Sequence, residues 1–237
     1  MNQRLSYALL IIGTLLIAAA SLALIAQASP TDPLLIQLLP YHICAAILTY
    51  IAFIACTGVN IALYVQNIHK KPSSTEQSAT KRRFLHTLLT PSAAIALCDA
   101  GLIFALETFI TGMVWATDAW GAAWVWEPRL TGMLLMTTIF AAWRIGCSIV
   151  GHDTPNKIRY TAPLIILGLP SMVFTHFATD LIGGIHPEAI APLVTHIPPQ
   201  RLTLLQLSSI PLAIGHLAIA AAIFGIARHA IAQRHQQ

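Results

Sequence analysis

Between positions 111 and 129 the chain reads Thr-Gly-Met-Val-Trp115-Ala-Thr-Asp-Ala-Trp120-Gly121-Ala-Ala-Trp124-Val-Trp126-Glu127-Pro128-Arg129, which holds four of its five tryptophans. An indole offers a broad apolar face with one N–H at its edge, and stacking on such rings adds about 0.5 to 1.5 kcal/mol per contact beyond area burial. The chemistry this points to is the holding of a flat, polarizable, largely apolar molecule. The competing explanation is an interfacial belt, because Trp favours the headgroup level of any bilayer. Belts spread over all helix ends, however, and here the tryptophans are concentrated in one segment. If the stretch is helical, Trp120 and Trp124 share a face at i, i+4, and Gly121 between them leaves room for close approach. Pro128 fits the start of a following helix, where a missing N–H does no harm.

The elements that must position this segment follow from composition. The 237 residues are 56% hydrophobic and only 9% charged, with a mean hydropathy of +0.70, so lipid is the solvent for much of the chain. An apolar bilayer core ~30 Å thick takes roughly 20 residues of helix. Six such runs occur, near Tyr7–Ala26, Tyr41–Val65, Leu88–Ile110, Leu130–Val150, Tyr160–Ala178 and Leu202–Ala227. Each is predicted helical, since an unpaired backbone group in hydrocarbon costs several kcal/mol. The alternating segments of a β-barrel are absent. The predicted fold is all-α, a polytopic membrane bundle of about six spans forming one domain over residues 1–237. The first run resembles a signal peptide, but its length and the lack of a small-residue cleavage site favour a retained anchor.

Loop charges set the sidedness. Arg4, Lys70, Lys71, Lys81, Arg82, Arg83, Arg144, Lys157, Arg159, Arg228 and Arg234 all fall to one side of the six-span arrangement, eleven of the thirteen basic residues. The positive-inside rule makes that side cytoplasmic and places both termini there. Arg129 and Arg201 remain outside, with the segments near 27–40, 111–129 and 179–201. The net charge of +4 is scattered over short loops, which argues against nucleic acid as a partner.

Topology then sorts the ten histidines. His69, His86, His152, His229 and His235 belong to the inner side. His42 lies at the outer end of the second span and His186 in the loop after the fifth. Neutral imidazoles from opposite sides of a porphyrin make a six-coordinate haem, whereas a quinone needs none, so these two decide between the flat ligands. His176 and His216 are intramembrane, with a bundle-facing hydrogen bond as the simpler role and a second haem or transit site as the sharper one. His196 has no distinguishing context. Asp99 and Glu107, within the third span, require partners inside the bundle, His216 being one, or mark a proton or ligand path. Cys44, Cys56, Cys98 and Cys147 lack C-x-x-C spacing and read as small buried hydrophobes, with Cys44 the one close to a ligand.

The stretch Trp120-Gly-Ala-Ala-Trp-Val-Trp-Glu-Pro-Arg-Leu-Thr131 resembles the W-G-x-x-W-V-W-D-x-R-L-T signature of the haem exporter protein C family, and the agreement extends upstream to Thr111-Gly112 and Trp115. The resemblance extends over essentially the whole chain in length, span number and placement of the tryptophan segment. It implies that His42 and His186, the latter ten residues after His176, are axial ligands of haem iron. Trp115, Trp120, Gly121, Trp124, Trp126, Glu127 and Arg129 complete the implied haem-binding set. Glu127 stands in place of the family's Asp, Cys44 in place of a Pro, and Leu181 and Ile182 where aromatics are usual. Longer relatives in the alternative cytochrome c synthase system share the tryptophan segment, while Val125 and Arg129-Leu-Thr131 favour the exporter family.

The implied function is that of a transport component rather than an enzyme. Haem b is carried as cargo at the periplasmic face of the bacterial inner membrane and passed to a periplasmic haem chaperone for c-type cytochrome biogenesis. An ATP-binding-cassette (ABC) transporter complex in the same membrane assists, any ATP hydrolysis residing there. Arg129 and Arg201 are candidates for the haem propionates, with a lipid headgroup or a pair with Glu127 as the alternative for Arg129. Two other readings compete: a haem lyase attaching haem to apocytochrome c, and a quinone-binding redox subunit.

Overall fold

A computed structural model describes residues 2–27, 34–68, 89–150, 161–186 and 199–234. The connection 69–88 with its lysines, the segment 151–160, His196 and His235 lie outside the described residues, as does the side chain of Arg201. The described residues form helices α1 (Gln3–Gln27), α2 (Leu34–Ile68), α3 (Pro91–Trp120), α4 (Pro128–Ile149), α5 (Gly168–Ile182) and α6 (Pro199–Arg234), with no strand among them. Residues 161–166 are also helical, so that 161–182 makes one span broken only at Leu167. All six spans are long and apolar enough to cross a membrane.

The helices associate in pairs. α2 runs along α3, α1 along α6 and α4 along α5, and α3 also touches α6 and α4. α3 is therefore central: 56% of its apolar window is buried, against 17% for the peripheral α1. The core lies between α2, α3, α4 and α5, where Phe53 and Phe140 stack at 3.8 Å with planes 5° apart. Without a hydrophobic drive between helices in lipid, small residues that admit close backbones direct pairing. Gly13 and Gly215 do so for α1 and α6: a Cβ on Gly13 would stand 2.7 Å from the Gly215 carbonyl oxygen, and one on Gly215 2.9 Å from that of Gly13.

Two polar ties cross the bundle. Arg144 of α4 clasps Asp99 of α3, Nε to Oδ1 at 2.6 Å and Nη2 to Oδ2 at 3.4 Å. Glu107 of α3 meets His216 of α6, Oε1 to Nε2 at 2.8 Å. His216 Nδ1 lies 2.8 Å from the Leu212 carbonyl, which can only accept, so Nδ1 carries hydrogen and one further proton is shared between Nε2 and the carboxyl. Both acids thus have partners inside the bundle, and Glu107 is the one that takes His216.

Helix boundaries differ most from the predicted ones at three helix ends, one of them the end of α6, which reaches Arg234 rather than Ala227. α2 starts at Leu34 and carries Pro40 inside it, because an apolar setting favours continued helix over exposed backbone. α3 runs ten residues past Ile110 to Trp120.

Candidate functional site

The extension of α3 determines where the tryptophans go. Thr90 caps its start by accepting from the Ala93 N–H, and Gly121 ends it at φ 72°, the left-handed conformation that closes a helix and that only glycine adopts without cost. A Cβ on Gly121 would meet nothing within 4 Å. Its role in the fold is conformational. The chain then crosses to α4 through residues 121–127, so Trp120 and Trp124 do not share a helical face. Pro128 does open α4, as its place in the sequence predicts.

The four indoles split into two edge-to-face pairs. Trp115 and Trp120 stand 4.7 Å apart, and both rings flank His186, at 5.6 and 6.2 Å. Trp124 and Trp126 stand 5.6 Å apart, with Phe109 6.2 Å from Trp124. Trp126 is 77% exposed.

Beside them is a cavity of about 260 Å³ whose lining includes His42, His176, His186, Trp124 and Arg129. Its walls follow helical faces. Ala46 and Tyr50 succeed His42 on α2 at steps of four, and Thr108, Gly112 and Ala116 do the same on α3. Arg129, Leu130 and Met133 come from the first turns of α4, and Thr175 and His176 from α5. The geometry thus brings His42, His186, Trp124 and Arg129 together. Trp115, Trp120, Gly121, Trp126 and Glu127 lie outside the cavity wall.

Each polar group has a definite setting. His42 Nδ1 lies 3.1 Å from Thr111 Oγ1. Arg129 donates from Nη2 to the His176 carbonyl at 3.1 Å, tying α4 to α5 beside the cavity. Glu127, only 6% exposed, is the N-cap of α4: its Oε1 accepts from the Leu130 N–H at 2.6 Å. The His176 ring is held edge-on by Tyr50 at 6.5 Å and Phe177 at 4.7 Å.

The sequence left His176 between a bundle-facing hydrogen bond and a second haem or transit site, and Tyr50, Thr108, Met133 and Thr175 were passed over. The i, i+4, i+8 spacing from His42 to Tyr50 carried a signal for the α2 wall. Nothing local links α5 to that wall, since the approach is tertiary. Among the described residues no group of three or more His, Cys, Asp or Glu side chains could hold a metal ion.

Six membrane-crossing helices with an imidazole-lined, aromatic cavity at the α3–α4 turn define a multi-pass membrane protein with a built site at one end of its bundle. The cytochrome C assembly protein family matches residues 2–186, and the chain belongs to that family. It is 29% identical over 164 residues to cytochrome c biogenesis protein CcsA of Chlamydomonas reinhardtii, covering 68% of this chain and 43% of that one. It is 28% identical over 106 residues to heme exporter protein C of Bradyrhizobium diazoefficiens, covering 43% and 38%. The Escherichia coli K12 heme exporter protein C is 24% identical over 97 residues, covering 40% and 38%. The matched part is less than half the length of each of these relatives, and the likeness to the exporter proteins covers less of the chain than the whole-length resemblance expected.

Proposed function

We propose that the protein binds haem b as cargo at the periplasmic face of a bacterial inner membrane and delivers it to a periplasmic haem chaperone for c-type cytochrome biogenesis, beside an ABC transporter complex. The observation that carries this reading is the meeting of His42 and His186, 144 positions apart in sequence, on the wall of one cavity. Family membership and the exporter relatives support the same reading.

The residues present fit the ligand. Haem iron takes two axial nitrogens, and the cavity offers imidazoles from two elements. The ring takes an apolar, aromatic surface, and Trp124 and Phe109 supply it. Propionates take a cation, and Arg129 is at hand. A cavity of about 260 Å³ is at or below the small end of the range for sites that enclose a drug-sized molecule, about 300 to 1,000 Å³. A macrocycle seated there keeps one edge outside, which suits a protein that hands its cargo on. Trp126, 77% exposed beside Trp124, stands where a receiving protein would touch. The periplasmic assignment rests on the excess of basic residues at the opposite side.

The test is purification from cells with haem synthesis intact, followed by absorption spectra of wild type, His42→Ala and His186→Ala. A low-spin bis-imidazole spectrum in the wild type and its loss in each variant are expected; unchanged spectra in both variants overturn the ligand pair. Hand-off is read by recovery of haem on a co-expressed periplasmic chaperone, which Trp124→Ala is expected to reduce.

A further inference from the structure

The environment of His42 contains more than a place for a ring. Thr111 Oγ1 lies 2.8 Å from the Glu107 carbonyl oxygen, one turn back on α3, and 3.3 Å from that of Thr108. Carbonyl oxygens only accept, so the Thr111 hydroxyl hydrogen is committed to its own helix. His42 Nδ1 meets the same hydroxyl oxygen at 3.1 Å, where only a lone pair remains. With Nδ1 carrying the hydrogen, all the contacts made at this oxygen are satisfied at once. In a neutral imidazole this leaves Nε2 bare, the nitrogen with a lone pair to give.

The neighbouring residue fixes the position of the ring. A Cβ at Gly112 would stand 3.0 Å from His42 Cε1 and 3.5 Å from Nδ1, so the imidazole lies against α3 in the space the missing side chain leaves. Thr111 holds one edge of the ring while Gly112 lets it approach, and His42 lines the cavity from that seat.

We propose that Thr111 and Gly112 form a seat that locks His42 in its Nδ1–H tautomer and presents Nε2 to the cavity as the donor atom. Thr111 is a positioning residue, acting on the cargo only through His42. The purpose of the seat rests on the haem reading above, whereas the tautomer does not. Orienting partners of this kind change metal affinity about 10- to 100-fold when removed.

The test uses the full chain in detergent with 15N-labelled histidine, the His42 signals being assigned by their loss in His42→Ala. Without haem, wild-type His42 is expected to show a pyrrole-type Nδ1 and a pyridine-type Nε2. Thr111→Val, close in shape but without the acceptor, is expected to lose that single tautomer, and Thr111→Ser to keep it. Haem titration of the same preparations is expected to give affinity about 10- to 100-fold weaker for Thr111→Val and within a few-fold of wild type for Thr111→Ser. A pyridine-type Nδ1 in the wild type overturns the seat, as does a Thr111→Val protein with unchanged tautomer. If the tautomer result holds and the wild type takes up no haem, the haem reading fails and the seat stands. If haem binds through His42 and Thr111→Val alters neither signal nor affinity, the seat fails and the haem reading stands.

Discussion

Glu127 shows how one side chain can carry a motif for a structural reason. The resemblance grouped it with the haem-binding residues; in the structure its Oε1 caps α4, and Glu127 is not among the residues that line the cavity. Asp is among the favoured N-cap residues and Glu is not, because a shorter arm meets the N2 and N3 amides with less loss of freedom. The Asp of the resembling signature fits this position better than the Glu present. Glu127→Ala is therefore expected to cost about 1 kcal/mol of stability, seen as a lower melting temperature in detergent, while Glu127→Asp melts at or above wild type. That His42, His186 and Arg129 would meet at one cavity was legible because the positive-inside rule leaves few residues of their kind on the predicted outer side. His176 was not: its backbone carbonyl and ring face α4 and α2, contacts that no local pattern records.

At the scale of the element, α3 explains why the tryptophan segment was placed between two spans, although its first half belongs to a helix. A span counted to match ~30 Å of hydrocarbon ends near Ile110, about 20 residues in. The 30 residues of Pro91–Trp120 rise about 45 Å at 1.5 Å each, more than an upright crossing needs, so a count of apolar residues stops short of Trp115 and Trp120. Apolarity marks where lipid stops, not where a helix stops; Gly121 marks the latter. Gly121→Ala is expected to cost about 1 to 2 kcal/mol through left-handed backbone strain alone, since space is open around it. Gly121→Asn is expected to cost less. Thermal unfolding followed by tryptophan fluorescence reads both.

For the whole molecule, the number and rough extent of the helices were legible, because each backbone must satisfy itself in lipid. Their pairing was not. Lipid-facing and bundle-facing surfaces are both apolar here, as exposed Ile11, Leu15, Ile51 and Leu106 show, so no periodicity separates them. The polar ties do: Asp99–Arg144 and Glu107–His216 fasten α3 to α4 and α6. With the Asp99 and Arg144 side chains 28% and 33% exposed, breaking that pair costs less than the 3 to 5 kcal/mol typical of a fully buried one. Asp99→Ala and Arg144→Ala are each expected to lower the melting temperature, and the double variant to lose less than their sum. The orientation is checked at Trp126→Cys, with the four native cysteines replaced. A membrane-impermeant thiol reagent is expected to label it in spheroplasts from the outer side.

The glycine contact between α1 and α6 has a temporal side. Its two residues lie about two hundred positions apart, and a ribosome adding about 5 to 20 residues per second separates their emergence by roughly 10 to 40 seconds. Through that interval α1 waits in the bilayer without its principal neighbour. Completion of the bundle is thus gated by the arrival of α6, and a chain arrested before Gly215 would offer quality-control proteases an orphan first helix.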